Sequence, residues 1–120
     1  VQIGDLSVIP VPVEHGSVEA NGYLFQGAEG GKAVYIPDVK SIPASSLELV
    51  RGADILIMDA LRPGEHPTHS SIGETLDAIR RAEVGRGYFT HMSHDIDYEK
   101  VSAQVPGNVS LAYDGLRIMV

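Results

Sequence analysis

The chain contains no cysteine and no tryptophan. Without thiols there can be no disulfide and no thiolate–metal bond, so histidine and carboxylate are the only ligand types left for a metal. Aromatic residues make up 6% of the sequence, too few for a large aromatic binding platform. Basic runs are missing as well: none exceeds the pair Arg80-Arg81, and the formal net charge is −7. That lack of a phosphate-neutralising patch disfavours non-specific nucleic-acid binding, although a bound divalent cation would offset the acidic balance locally. No apolar stretch approaches the roughly 20 residues of a membrane span. No signal peptide is evident, so the expected location is the cytoplasm. The sequence opens at Val1, without an initiator Met and already inside an alternating run, and it reads as part of a longer protein.

What is present supports one compact domain with a real core: 120 residues, 43% of them apolar. Gln2 to Val13 alternates with apolar residues on both faces, which predicts a strand buried on both sides, with Pro10 and Pro12 marking a sheet edge or bulge. Tyr23–Gln26 and Lys32–Ile36 flank a Gly-rich turn and read as a hairpin. Ala44–Val50 reads as a short helix and Ile55–Met58 as a central buried strand. A Pro- and hydroxyl-rich loop runs from Arg62 to Ser71. Helical spacing then begins at Ile72, with Ser70 or Ser71 as the N-cap, Glu74 near capping-box position, and Gly85 and Gly87 as the stop. Tyr88–Thr90 reads as a strand and Tyr98–Gln104 as a helix. Val109–Ala112 and Leu116–Met119 read as strands around the turn Asp114-Gly115. Strands alternating with helices after residue 32 predict an α/β layered half-domain.

None of the five histidines, at 15, 66, 69, 91 and 94, lies in the middle of an expected element. His15, Asp38 and His91 each follow a strand, so they can converge on one rim of a sheet, where α/β proteins place their active sites. Imidazole nitrogens with a carboxylate suit Zn, Mn or Fe. Each residue also has a plainer reading: a solvated loop histidine, or, for Asp38 after Pro37, a turn residue.

The combination is more specific than its parts. His15, Val34-Tyr35-Ile36-Pro37-Asp38, the run Asp54 to Arg62, His66-Pro67-Thr68-His69, Thr90 to Asp95 and Tyr113-Asp114-Gly115-Leu116 together resemble the metallo-β-lactamase superfamily. Within it they most resemble the branch of the phosphoribosyl cyclic phosphodiesterase of carbon–phosphorus-lyase pathways. The resemblance spans nearly all of residues 1–120 and implies the C-terminal half of a four-layer αβ/βα sandwich. The family's opening His-x-His-x-Asp-His motif lies outside this chain, so the implied partner is an N-terminal half, expected as a second chain; a homodimer is the other assembly allowed. The resemblance also implies two divalent metal ions (Zn or Mn), with His15 on the first, Asp38 bridging and His91 on the second. It makes His69 the residue near the scissile phosphate and a general acid. Thr68 and Ser70 are expected to bind the phosphate, and Asp59 and His94 to support the ligands from behind. His66 would line the entrance, with solvated surface as the plainer reading. The implied activity is hydrolysis of a small cyclic or nucleotide-like phosphate ester. Two other readings stand beside it: a thioester, lactone or amide hydrolase using the same metals, and a half-domain with only a structural or binding role.

Overall fold

The computed structural model describes all 120 residues. Its strands form one seven-stranded sheet in chain order: β1 (Gln2–Ile3), β2 (Leu6–His15), β3 (Val18–Gln26), β4 (Lys32–Ile36), β5 (Ile55–Asp59), β6 (Arg86–Thr90) and β7 (Val109–Leu111). The first four are antiparallel neighbours, and β4 to β7 are parallel. Parallel neighbours need crossovers, supplied by α1 (Ala44–Val50), α2 (Ile72–Arg81) and α3 (Tyr98–Gln104). None of these helices is long and apolar enough to cross a membrane.

One face of the sheet carries the core. Val11 and Val13 of β2, Leu24 of β3, Val34 and Ile36 of β4, Leu56 and Met58 of β5, Phe89 of β6 and Leu111 of β7 join Leu47, Val50, Ala78, Ile79 and Val101 from the helices in a single buried cluster. Gly87 belongs to this face because a Cβ there would run into Ile79. The opposite face has no helix on it. A row across it, in register from strand to strand, reads Pro10, Tyr23, Tyr35, Ile57, Tyr88, Ser110, with Tyr23 43% and Tyr35 41% exposed. Few as the aromatics are, three of the five tyrosines stand in this one row.

β2 is therefore buried on one side only, not on both: Pro10 and Pro12 lie on the open face and are exposed. Their missing N–H groups belong to the uncovered edge. Val8 N–H donates to Val1 O and Glu14 N–H to Ser41 O, away from β3, and positions 10 and 12 share that parity. Proline there removes donors that no strand would have met. β3 starts earlier than its apolar residues indicate, pairing with β2 from His15↔Val18 onward. The turn at Asp114-Gly115 forms, with Gly115 at φ +88°, but Leu116–Met119 is not a strand. Met119 O instead accepts from the Arg86 guanidinium, a side-chain tether where a ladder was expected.

α2 begins as its sequence dictates. The Ser71 side chain accepts from Glu74 N–H and the Glu74 carboxylate accepts from Ser71 N–H, a complete capping box. The helix stops before Gly85 and Gly87: Ala82 caps it, and Glu83, at φ +53°, takes the left-handed backbone.

Candidate metal centre

β2, β4, β5 and β6 all run in one direction, so their C-terminal ends share a rim. His15 is the last residue of β2 and Asp59 the last of β5; Asp38 lies two residues beyond β4, and His91 directly follows β6. His91 sits at φ +56°, a backbone conformation whose cost for a non-glycine residue is about 1–3 kcal/mol and which clusters at functional sites.

Two carboxylate–histidine pairs form at this rim. In the outer pair His91 Nε2 lies 3.1 Å from Asp38 Oδ1, with side chains 41% and 50% exposed. In the inner pair His69 Nδ1 lies 2.6 Å from Asp59 Oδ2, with exposures of 15% and 0%. The two imidazoles stack with centroids 4.7 Å apart, and one donor atom each from Asp38, Asp59, His69 and His91 falls within 4.8 Å of the others. Burial pushes the Asp59 carboxyl above its ordinary value, against the opposing pull of the His69 hydrogen bond and of Val39 N–H, which donates to Oδ2 at 3.2 Å. The Asp59–His69 contact also fixes the ring's use: Nδ1 is engaged, leaving Nε2 free.

His15 packs edge-on against His69 with centroids 4.7 Å apart, and its Nδ1 is buried without a partner. Gly16 behind it adopts φ +65°, and a Cβ there would lie 2.6 Å from Thr68 Cγ2, so only glycine lets the histidine loop close on the β2–β3 turn. His66 stands 5.1 Å from His69, centroid to centroid, and its Nδ1 accepts from Thr68 N–H at 3.2 Å. Burial, then the neighbouring charges of Arg62, His69 and Lys40, hold its pKa below the ordinary histidine value. A cleft of about 350 Å³ bounded by Lys40, Glu65, His66 and Pro67 opens beside this loop.

Two expectations are corrected. Ser70 does not face a substrate: it is wholly buried, with its hydroxyl 2.7 Å from that of Thr75. His94 supports nothing at the rim: its side chain is 97% exposed, with Asp95 3.7 Å away. The Arg62 guanidinium donates to Glu65 O. Sequence reasoning passed over Val39 and Thr75. The first acts through its backbone and leaves no side-chain signal. The second was detectable as a polar residue on the apolar stripe Ile72, Leu76, Ile79.

The donor set fits a divalent cation. It is all nitrogen and oxygen, with Asp38 and His91 at a spacing that one ion can share, and with two buried atoms, His15 Nδ1 and Asp59 Oδ1, that no protein group satisfies.

Comparison with known proteins follows the same line. The model of a family described as the beta-lactamase superfamily domain matches residues 1–92. A solved diphosphatase of the PhnP family is 41% identical, with a TM-score of 0.93, over 100% of this chain and 46% of that one. The metallo-beta-lactamase fold protein YhfI from Bacillus subtilis shares the fold at 18% identity, with a TM-score of 0.79, over 97% of this chain and 50% of its own. An octanoyltransferase of Porphyromonas gingivalis is 27% identical over 121 residues, 99% of this chain but 24% of that protein. The chain thus spans half or less of the length of each of these relatives.

Proposed function

The chain belongs to the beta-lactamase superfamily, and from that premise we propose that it supplies one side of a metal-dependent phosphodiesterase site acting on a small phosphate ester. The observation that carries this reading is the buried Asp59–His69 pair set against the half-exposed Asp38–His91 pair. Asp38, His91 and His15 are the residues that would hold two divalent ions, Zn or Mn. When bound, such ions supply Lewis-acid stabilisation of phosphoryl oxygens and a water of lowered pKa. The chain's own residues do the rest. Asp59 accepts from His69 Nδ1–H and fixes the ring's direction; as imidazolium the ring carries its second proton on Nε2, and that proton passes to the leaving alkoxide. Thr68 and His66 shape the rim beside it. The similarity to a PhnP-family diphosphatase supports phosphate as the substrate class.

The open Tyr23–Tyr35–Ile57–Tyr88 face supports the remaining half of the domain as a partner, whether on a second chain or on the same one. An exposed apolar face of that extent marks an interaction surface. A soluble, monomeric 12.8 kDa species with one cooperative unfolding transition would contradict this.

Leaving-group dependence tests the activity. In the complete protein, His69→Ala should lower turnover of an alkyl phosphodiester by about 10²- to 10⁴-fold, the usual contribution of a general acid. A nitrophenyl phosphodiester, whose leaving group needs little protonation, should suffer much less. Equal losses on the two esters would reduce His69 to a binding residue.

A further inference from the structure

We propose that Thr75 is a positioning residue for the Asp59–His69 pair, locking both members in place from behind through its buried hydroxyl; the proposal rests on the proton-donor reading above. Thr75 is wholly buried one turn into α2, on the stripe that packs against the sheet. A hydroxyl in such surroundings is costly unless bonded, and a valine of the same shape would pack as well. The bonds here are specific. Thr75 Oγ1 donates to the main-chain oxygen of Asp59, the last residue of β5. With its single proton so committed, it acts as acceptor for the Ser70 hydroxyl 2.7 Å away.

Ser70 is the chain neighbour of His69, so this relay ties the loop carrying the acid to the strand end carrying its carboxylate. The circuit closes through the backbone. Ser70 N–H donates to Val39 O at 2.6 Å, and Leu61 N–H to Ser70 O at 2.9 Å. Val39 N–H returns to Asp59 Oδ2, the oxygen that holds His69 Nδ1. Val39, Asp59, Ser70 and Thr75 are all 0% exposed, so bulk solvent does not reach these links. Thr75 bonds to none of Asp38, His91 and His15, and it meets Asp59 only at the main-chain oxygen. Its effect is on the geometry between a carboxylate and an imidazole ten residues apart, where a displacement near 1 Å costs on the order of 10²-fold in rate.

The test compares Thr75→Val, Thr75→Ser and Ser70→Ala in the complete, metal-loaded protein. Thr75→Val should lower kcat for an alkyl phosphodiester by about 10- to 100-fold with KM little changed, and leave the nitrophenyl ester nearly untouched. Thr75→Ser, which keeps the hydroxyl, should restore most of the rate, and Ser70→Ala should fall between. A second readout needs no turnover: the NMR signal of the His69 Nδ1 proton should move or broaden in Thr75→Val and return in Thr75→Ser, at unchanged metal content. Equal losses on both esters, or a Thr75→Ser variant as impaired as Thr75→Val, would overturn the proposal. If His69→Ala itself treats the two esters alike, the proton-donor reading fails, and the Nδ1 signal decides alone. An undisturbed signal in Thr75→Val overturns the positioning role, and a displaced one that Thr75→Ser restores supports it.

Discussion

The outer and inner carboxylate–histidine pairs stand side by side on one rim, yet their surroundings differ in every respect. Asp38 and His91 meet at 3.1 Å in half-exposed positions, with no backbone N–H on the carboxylate. Asp59 and His69 meet at 2.6 Å, with the carboxylate wholly buried and bonded to Val39 N–H. A loosely held, solvated pair can exchange its mutual contact for an ion, because both groups are hydrated before and coordinated after. A buried pair that gave up its hydrogen bond would strand a carboxylate in the core, which is costly. The same two residue types thus stand in opposite surroundings; under the proposed function the exposed pair is the one that ligates and the buried pair the one that orients the acid.

The largest expected effect comes from breaking the inner pair. Asp59→Asn keeps the shape and removes the charge that orients His69. Turnover of an alkyl phosphodiester should fall by about 10²-fold or more, the scale of general acid catalysis, with the metal-to-protein ratio preserved. The unfolding free energy should drop by roughly 1–3 kcal/mol, the cost of a buried group left without its partner. Kinetics and chemical denaturation on the same sample check both.

Next in size is the hinge on which the histidine loop closes. Gly16→Ala places a Cβ against Thr68 and puts alanine at φ +65°, a conformation costing L-residues about 1–2 kcal/mol. The midpoint of unfolding should fall accordingly, and kcat with it. An unchanged kcat would mean that the loop seats without Gly16.

A smaller effect lies outside both pairs. Burial raises the Glu74 pKa, but the Ser71 N–H, the Lys40 ammonium and the Ser71 hydroxyl outweigh it and hold this carboxyl below its ordinary value. A depressed pKa stabilises the fold above the unfolded value, about 4.3, and that gain is lost as pH falls through the folded one. Thermal unfolding of the parent should therefore weaken on acidification through that window, and Glu74→Gln should flatten this part of the profile. With its side chain 38% exposed, the pair with Lys40 contributes only a few tenths of a kcal/mol after screening. The smallest change belongs to His94→Ala. At 97% exposure it should stay within about 0.5 kcal/mol of the parent, with metal content and turnover unaltered.

How much of this could be read from the residues varies by element. α2 was legible because Ser71 and Glu74 stand three apart before an apolar stripe, and the capping box forms as written. The central strand and the strand-end placement of His15, Asp38 and His91 were legible from short apolar runs. β3 was half hidden: Glu19 and Asn21 are polar on the open face, and Gly22 is small where β4 approaches closely, so its first half lacks an apolar signature. The Leu116–Met119 error has the opposite cause, apolar alternation without a neighbouring ladder. The Asp59–His69 pair was not legible as a pair, since the turn that brings the two together is set by Val39, Ser70 and Thr75, each through a backbone or hydroxyl contact. Ser70 misled for the same reason: it is polar in a polar loop, yet turned inward.

The division of labour between the pairs is tested most directly by metal content measured side by side in His69→Ala and His91→Ala, using native mass spectrometry of the reconstituted complete protein. All four side chains lie within ligating reach of one point, so geometry alone permits either pair to bind. His69→Ala is expected to retain the parent's metal-to-protein ratio while His91→Ala loses about one ion. Loss of metal from His69→Ala, with His91→Ala left fully loaded, would overturn that division.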